Sequence, residues 1–255
     1  MLAFTGRRII TSTTGRRGAS CWVALLALVA ALGGSPAWSQ AVCTWNQNGP
    51  GLWEEPLNWS NCSTGNGSPA GTPGAADHAV IGDIAPQAEV DVGLTARTVD
   101  RLTLSAGRIF GDADITVSTR LNWTGGMIDG GNVATLINLN GSSSSDIAGG
   151  LHVLSKRALR LFGSLSWTQG DIELQQNAEI DIQGPLTVSY TPLVERGPVI
   201  PLQLYGDFSA SNRLHNSATS GAQIQKLGVG QLQIAGNVVF DNGNDVIVSA
   251  GSLQV

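Results

Sequence analysis

The chain has 255 residues, 33 of them Gly, with 13% charged and 5% aromatic residues and 14 basic against 19 acidic side chains. An apolar share of 42% excludes a disordered polar chain, and glycine without a three-residue period excludes collagen. A formal charge of −5 lacks the clustered basic character on which nucleic-acid affinity rests, so no nucleic-acid partner is expected.

Residues 1–39 read as a signal peptide. Arg7, Arg8, Arg16 and Arg17 form a basic region, and Cys21–Gly34 is an apolar run shorter than the ~20 residues of a membrane span. Small residues at Ala37 and Ser39 suit cleavage before Gln40, and Ser39 and Ala41 suit cleavage before Val42. An uncleaved N-terminal anchor is the alternative. The arginine pairs lack the residues that complete a twin-arginine signal, which favours ordinary export. Cleavage after Ser39 removes four arginines and no acids, taking the charge to −9, and leaves a mature chain without a membrane span.

Residues 40–78 form a Trp-, Cys- and Pro-rich cap and loop. Cys43 and Cys62 are the two cysteines left after cleavage, and an oxidising compartment pairs them. Trp45, Trp53 and Trp59 are expected to cover the open end of the fold beside that disulfide.

From residue 79 onward, short runs alternate apolar and polar residues between Gly, Asn and Asp. They include AEVDV, RLTLS, DITVS, ATLINLN, DIELQ, AEIDIQ, LQLYG, QLQIAG and DVIVS. Residues 151–162, LHVLSKRALRLF, also read as strand. Four segments share one template: LTLSAGRI at 102–109, LNWTGGMI at 121–128, LSWTQGDI at 165–172 and VIVSAGSL at 246–253. Their starts are 19, 44 and 81 residues apart, near multiples of about 20. Such a period fits coils that bury their inward side chains only by stacking. The recurrent Gly fits the corner between strands. The reading is therefore all-β: a single right-handed parallel β-helix over residues 79–255, of about nine coils and roughly 40 Å at the inter-strand spacing. Its interior should hold the template's apolar positions, from Leu102, Leu104 and Ile109 to Val246, Val248 and Leu253. A sandwich or jelly roll is the rival, with similar strand spacing but no shared template.

Residues 228–255 resemble the passenger-associated repeat of bacterial autotransporters. Gly228, Gly230, Leu232, Ile234, Gly236, Val248, Gly251, Leu253 and Val255 occupy that pattern. Trp53, Asn58, Trp59, Ser60, Pro73 and Asp77 are similar to the opening segment of many secreted β-helix proteins. The resemblance implies a secreted or surface-exposed protein of a Gram-negative bacterium. No translocator barrel is present, so the expectation is an N-terminal portion of a longer protein, or a separate exporter.

His78, His152 and His215 are scattered, read as surface residues and form no ligand cluster, and no cofactor is expected. DNGND at 241–245 lacks calcium-loop spacing and reads as an exposed turn. Asp112/Asp114 read as a solvated turn; Asp171/Glu173 and Glu179/Asp181 read as outward strand faces. GSSSSD at 141–146 reads as a loop leaving a corner. Lys156, Arg157 and Arg160 could grip an acidic glycan but read as a solvated strand edge. Trp123 and Trp167 share one template position. They are candidate glycan contacts if exposed and a core ladder if buried, and their polar flanks favour the core. The functional expectation is a non-enzymatic, adhesin-like module that binds a surface glycan or protein ligand. The alternative is a polysaccharide lyase or hydrolase. A groove combining several acids with Lys or Arg and exposed aromatics would mark the enzyme.

Overall fold

The computed structural model describes residues 40–62, 67, 70–131, 135–140, 144–192, 201–208 and 211–255. The expected signal peptide, residues 1–39, lies outside them, as do parts of the Ser/Gly/Pro-rich loop. Apart from a 3-10 turn at Pro56–Asn58, the described elements are all strands.

The chain forms a parallel β-solenoid with three faces. The first face begins in the N-terminal halves of Arg97–Leu104 and Ile115–Trp123. It continues through Thr135–Leu139, Arg157–Leu161, Glu179–Ile182, Asn212–Asn216 and Val238–Asn242. The second begins at Val42–Trp45 and His78–Ile81, takes the C-terminal halves of the same two long strands, and runs on to Asp245–Val248. The third runs from Gly49–Leu52 to Ser252–Gln254 as a separate nine-stranded sheet. Both long strands pass the first corner unbroken, with a register irregularity between Val99 and Arg101, so the first two faces share one 15-stranded sheet.

Leu102 lies opposite Leu121 and Leu104 opposite Trp123 on adjacent parallel strands, which excludes the sandwich. Among the described residues seven coils carry all three strands, fewer than the nine expected. The difference comes from long connections: Val188 pairs with Lys226, 38 residues on, whereas Trp167 pairs with Val188 after 21. Parallel pairing also reaches back into the cap, since Val42 pairs with His78 and Gly49 with Ala88.

The template glycines turn the corner between the second and third faces. Gly107, Gly126, Gly170 and Gly251 have φ of +78°, +83°, +76° and +73°, a region that side chains other than Gly's rarely adopt. A Cβ on Gly107 would sit 2.5 Å from the Ala88 carbonyl oxygen of the neighbouring coil. One template feature does not stack as written. Ile128 pairs with Leu154, whereas Ile172 pairs with His152, which itself pairs with Gly126. The corner has lengthened by two residues, a step that keeps side chains on the inner face because the strand period is two.

The expected interior residues are buried, except in the last coil. There Val246 and Leu253 are partly buried and Val248 is 45% exposed, since among the described residues Asp245–Val248 pairs on one side, with Gln223–Lys226. At the other end, Trp59–Ser60 pairs antiparallel with Val42–Trp45 and covers that strand's free edge. Trp59 meets the rings of Trp45 and Trp53 edge-on at 5.1 and 4.9 Å, and its Nε1 donates to the Trp53 carbonyl. The Cys43–Cys62 disulfide joins this cluster, with Cα atoms 4.7 Å apart. Ser60 donates to the Thr44 carbonyl, and Asp77 accepts from the amides of Ala41 and Gly74. The Trp/Asn/Ser/Asp module is thus a cap held by hydrogen bonds as well as by apolar packing.

Candidate functional site

The interior holds no site for a ligand at the tryptophans. Trp123 is 0% and Trp167 3% exposed, so neither indole offers a face to a glycan. They share one inward file with Ile147 between them. An apolar cavity beside Trp167, Ile172 and Leu204 measures about 20 Å³, on the scale of a single water and far too small for a sugar.

Polar groups inside the coils are structural. His152 is fully buried, correcting its reading as a surface residue. It stands opposite Gly126 and Ile172 in its file, and the missing side chain of Gly170, where a Cβ would fall 2.6 Å from the His152 Cε1, gives the ring room. Its Nδ1 lies 3.1 Å from the Asp171 carbonyl and its Nε2 lies 3.0 Å from that of Trp123. Burial holds its pKa below the ordinary value. Arg157 is likewise buried at 1% exposure, so the basic segment is no solvated edge. It donates to the carbonyls of Gly111 and Ala113 in an earlier coil, and burial lowers its pKa to about 10. Ser144–Ile147 of GSSSSD is a strand rather than a loop, with buried Ser145 accepting from the Leu121 amide. Residues 141–143 lie outside the described residues.

Ionisable groups concentrate outside, at two places. The larger is on the first face. Arg160, Asp181, His215 and Asp241 stand on four successive strands in one outward file, with Glu179 and Arg213 paired in the next. Asp181 accepts from Arg160 Nε at 2.9 Å and from Gln183 at 2.9 Å, and His215 Nδ1 lies 3.3 Å away. Arg213 bonds Asp241 and lies 3.9 Å from Glu179. Each acid of the cluster has an arginine beside it, Arg160 for Asp181 and Arg213 for Asp241 and Glu179. Sequence reasoning placed Glu179 and Asp181 on an outward face but missed their partners, which only the coil register brings together.

The second place is a depression on the second face of about 200 Å³, lined by His78, Arg101, Thr103, Arg120 and Asn122. Three further acids serve the chain itself. Asp114 accepts from the Leu136 amide, Asp171 from the Gln203 amide, and Glu173 from Gln175. Among the described residues no group of three or more His, Cys, Asp or Glu is arranged to hold a metal ion, and no helix is long and apolar enough to cross a membrane.

No protein-family model, curated protein or solved structure matches the chain.

Proposed function

We propose that this chain is an exported, non-enzymatic β-solenoid that works by binding and display on its outer faces, in the manner of a passenger or adhesin module. One observation carries the reading. The coils are packed inside mainly by apolar files and closed at one end by a disulfide-bonded tryptophan cap, while Asp181 and Asp241 outside are bonded to Arg160 and Arg213. A scaffold of this kind holds surface groups rigidly, and its disulfide suits an extracytoplasmic compartment.

The alternative, a carbohydrate-active enzyme, is favoured by the gathering of Glu179, Asp181, His215 and Asp241 on one face. The partners of Asp181 weigh against it, because a carboxylate already bonded to Arg160 and Gln183 is poorly placed to exchange a proton with substrate.

Expression of the whole chain in a Gram-negative host, with fractionation and incubation with a polysaccharide panel, tests both. The reading expects a product beginning near Gln40 outside the cytoplasm and intact polysaccharides. Retention in the cytoplasm with Met1–Ser39 attached would overturn export. Cleavage products that vanish in Asp181→Asn would overturn the non-enzymatic role in favour of the enzyme.

A further inference from the structure

We propose that the depression on the second face binds the carboxylate of a sugar acid. This deepens the binding role given above and rests on it. His78, Arg101 and Arg120 lie directly opposite one another on three successive strands, as do Thr103 and Asn122 on two of them. Neighbouring strands are about 4.8 Å apart, so two guanidinium groups reach one small group from adjacent coils.

The donors are available. Arg101 engages Asp100 through Nε at 3.3 Å, and Arg120 engages Asp146 through Nη2 at 2.5 Å. Each guanidinium has further N–H groups in the fork geometry that matches a carboxylate. Both side chains are about half exposed, at 49% and 56%, and so remain open to a ligand. His78 Nε2 lies 2.9 Å from the Thr103 hydroxyl. Burial first, and then the Arg101 charge, hold His78 below its ordinary pKa, consistent with a positive potential in the depression.

Three features select the ligand. A volume of about 200 Å³ is under the ~300 Å³ at which drug-sized pockets begin, which suits one sugar-sized unit. The Thr103 hydroxyl and Asn122 amide both donate and accept, as hydroxyl groups require. Asp100 and Asp146 at the margin repel a phosphate dianion or a densely sulfated chain, yet they accept from hydroxyls. A singly charged carboxylate on a polyhydroxylated body meets all three conditions.

The test is calorimetric titration of the protein purified after expression of the whole chain, with glucuronate and a short oligoglucuronate, against glucose, oligoglucose and inorganic sulfate. The acidic sugars should bind and the neutral ones should not, with sulfate weaker than oligoglucuronate. Arg101→Gln/Arg120→Gln should lower affinity about tenfold or more, the scale of a lost charge-assisted contact. Asp146→Asn, which releases Arg120, should raise it, and Arg213→Gln on the first face should leave it unchanged. No binding at 10 mM, equal binding of neutral sugars, or an unaffected double variant would overturn the proposal. Sulfate binding as well as oligoglucuronate would overturn the choice of sugar acid. Chromatography of the recovered oligosaccharide separates the two readings: cleavage would defeat the non-enzymatic role while leaving the site in place.

Discussion

Trp123 and Trp167 stand in one inward file two coils apart, yet only the Trp167 ring nitrogen has a partner. Trp167 Nε1 donates to the Gly170 carbonyl at 2.8 Å, whereas Trp123 Nε1 is buried without an acceptor among the described residues. Trp123→Phe removes an unsatisfied donor along with some volume, so these effects oppose; in Trp167→Phe, loss of volume and loss of a hydrogen bond add. Urea denaturation should place Trp123→Phe within about 1 kcal/mol of the parent and Trp167→Phe about 1–2 kcal/mol lower than Trp123→Phe.

Glycine is needed where the corner is tight and not elsewhere. Gly170 has φ +76°, and a Cβ there would fall on the Gly150 carbonyl of the previous coil. Gly170→Ala should cost about 2–4 kcal/mol through backbone strain and overpacking. Gly236, part of the passenger-like pattern, has nothing within 4 Å of a Cβ, and Gly236→Ala should shift the thermal midpoint little.

His152 makes stability depend on pH in a definite direction. Its folded pKa is depressed by burial below the ordinary 6.5, so the unfolded chain takes up the proton more readily. Its contribution is fully present above about pH 6.5 and is lost as the pH falls toward the folded pKa. His78 is depressed too and acts in the same sense. Denaturation curves between pH 7.5 and 5 should show stability falling, and His152→Gln should reduce that slope without abolishing it.

The Cys43–Cys62 bridge closes a separation of 19 residues, so Cys62→Ser should cost roughly 3 kcal/mol. Hydrogen exchange should show the loss first at Val42–Trp45 and Trp59–Ser60, the strands the bridge joins. Peptide mapping without reductant that found both thiols free would contradict the cap.

The legible parts of the sequence were those where one residue type answers one physical demand. The template Gly marks a positive φ, and alternating Leu, Ile and Trp mark a buried face. Hidden from that reading were strands whose inward residues are polar. Lys226 follows Val188 in the tryptophan file at 0% exposure, held by the Gly228 carbonyl, and no periodicity of apolar residues announces it. Ser145, Asn212, Asn216 and His152 are similar: each looks like a surface residue until its main-chain or side-chain partner in another coil is known. The outer clusters were illegible for a related reason. Asp181 and His215 are 34 residues apart in sequence and become neighbours only through the coil register.

That register is the central claim, and cysteine cross-linking tests it most directly. Ser166 lies opposite Thr187 on adjacent parallel strands, and Thr187 lies opposite Gln225 on the next. Adjacent strands place Cα atoms about 4.8 Å apart, within disulfide range, and a two-coil separation of roughly 9.6 Å is beyond it. Oxidation should close the bridge in Ser166→Cys/Thr187→Cys and leave Ser166→Cys/Gln225→Cys reduced. An open first pair, or a second pair that closes as readily, would contradict the parallel solenoid.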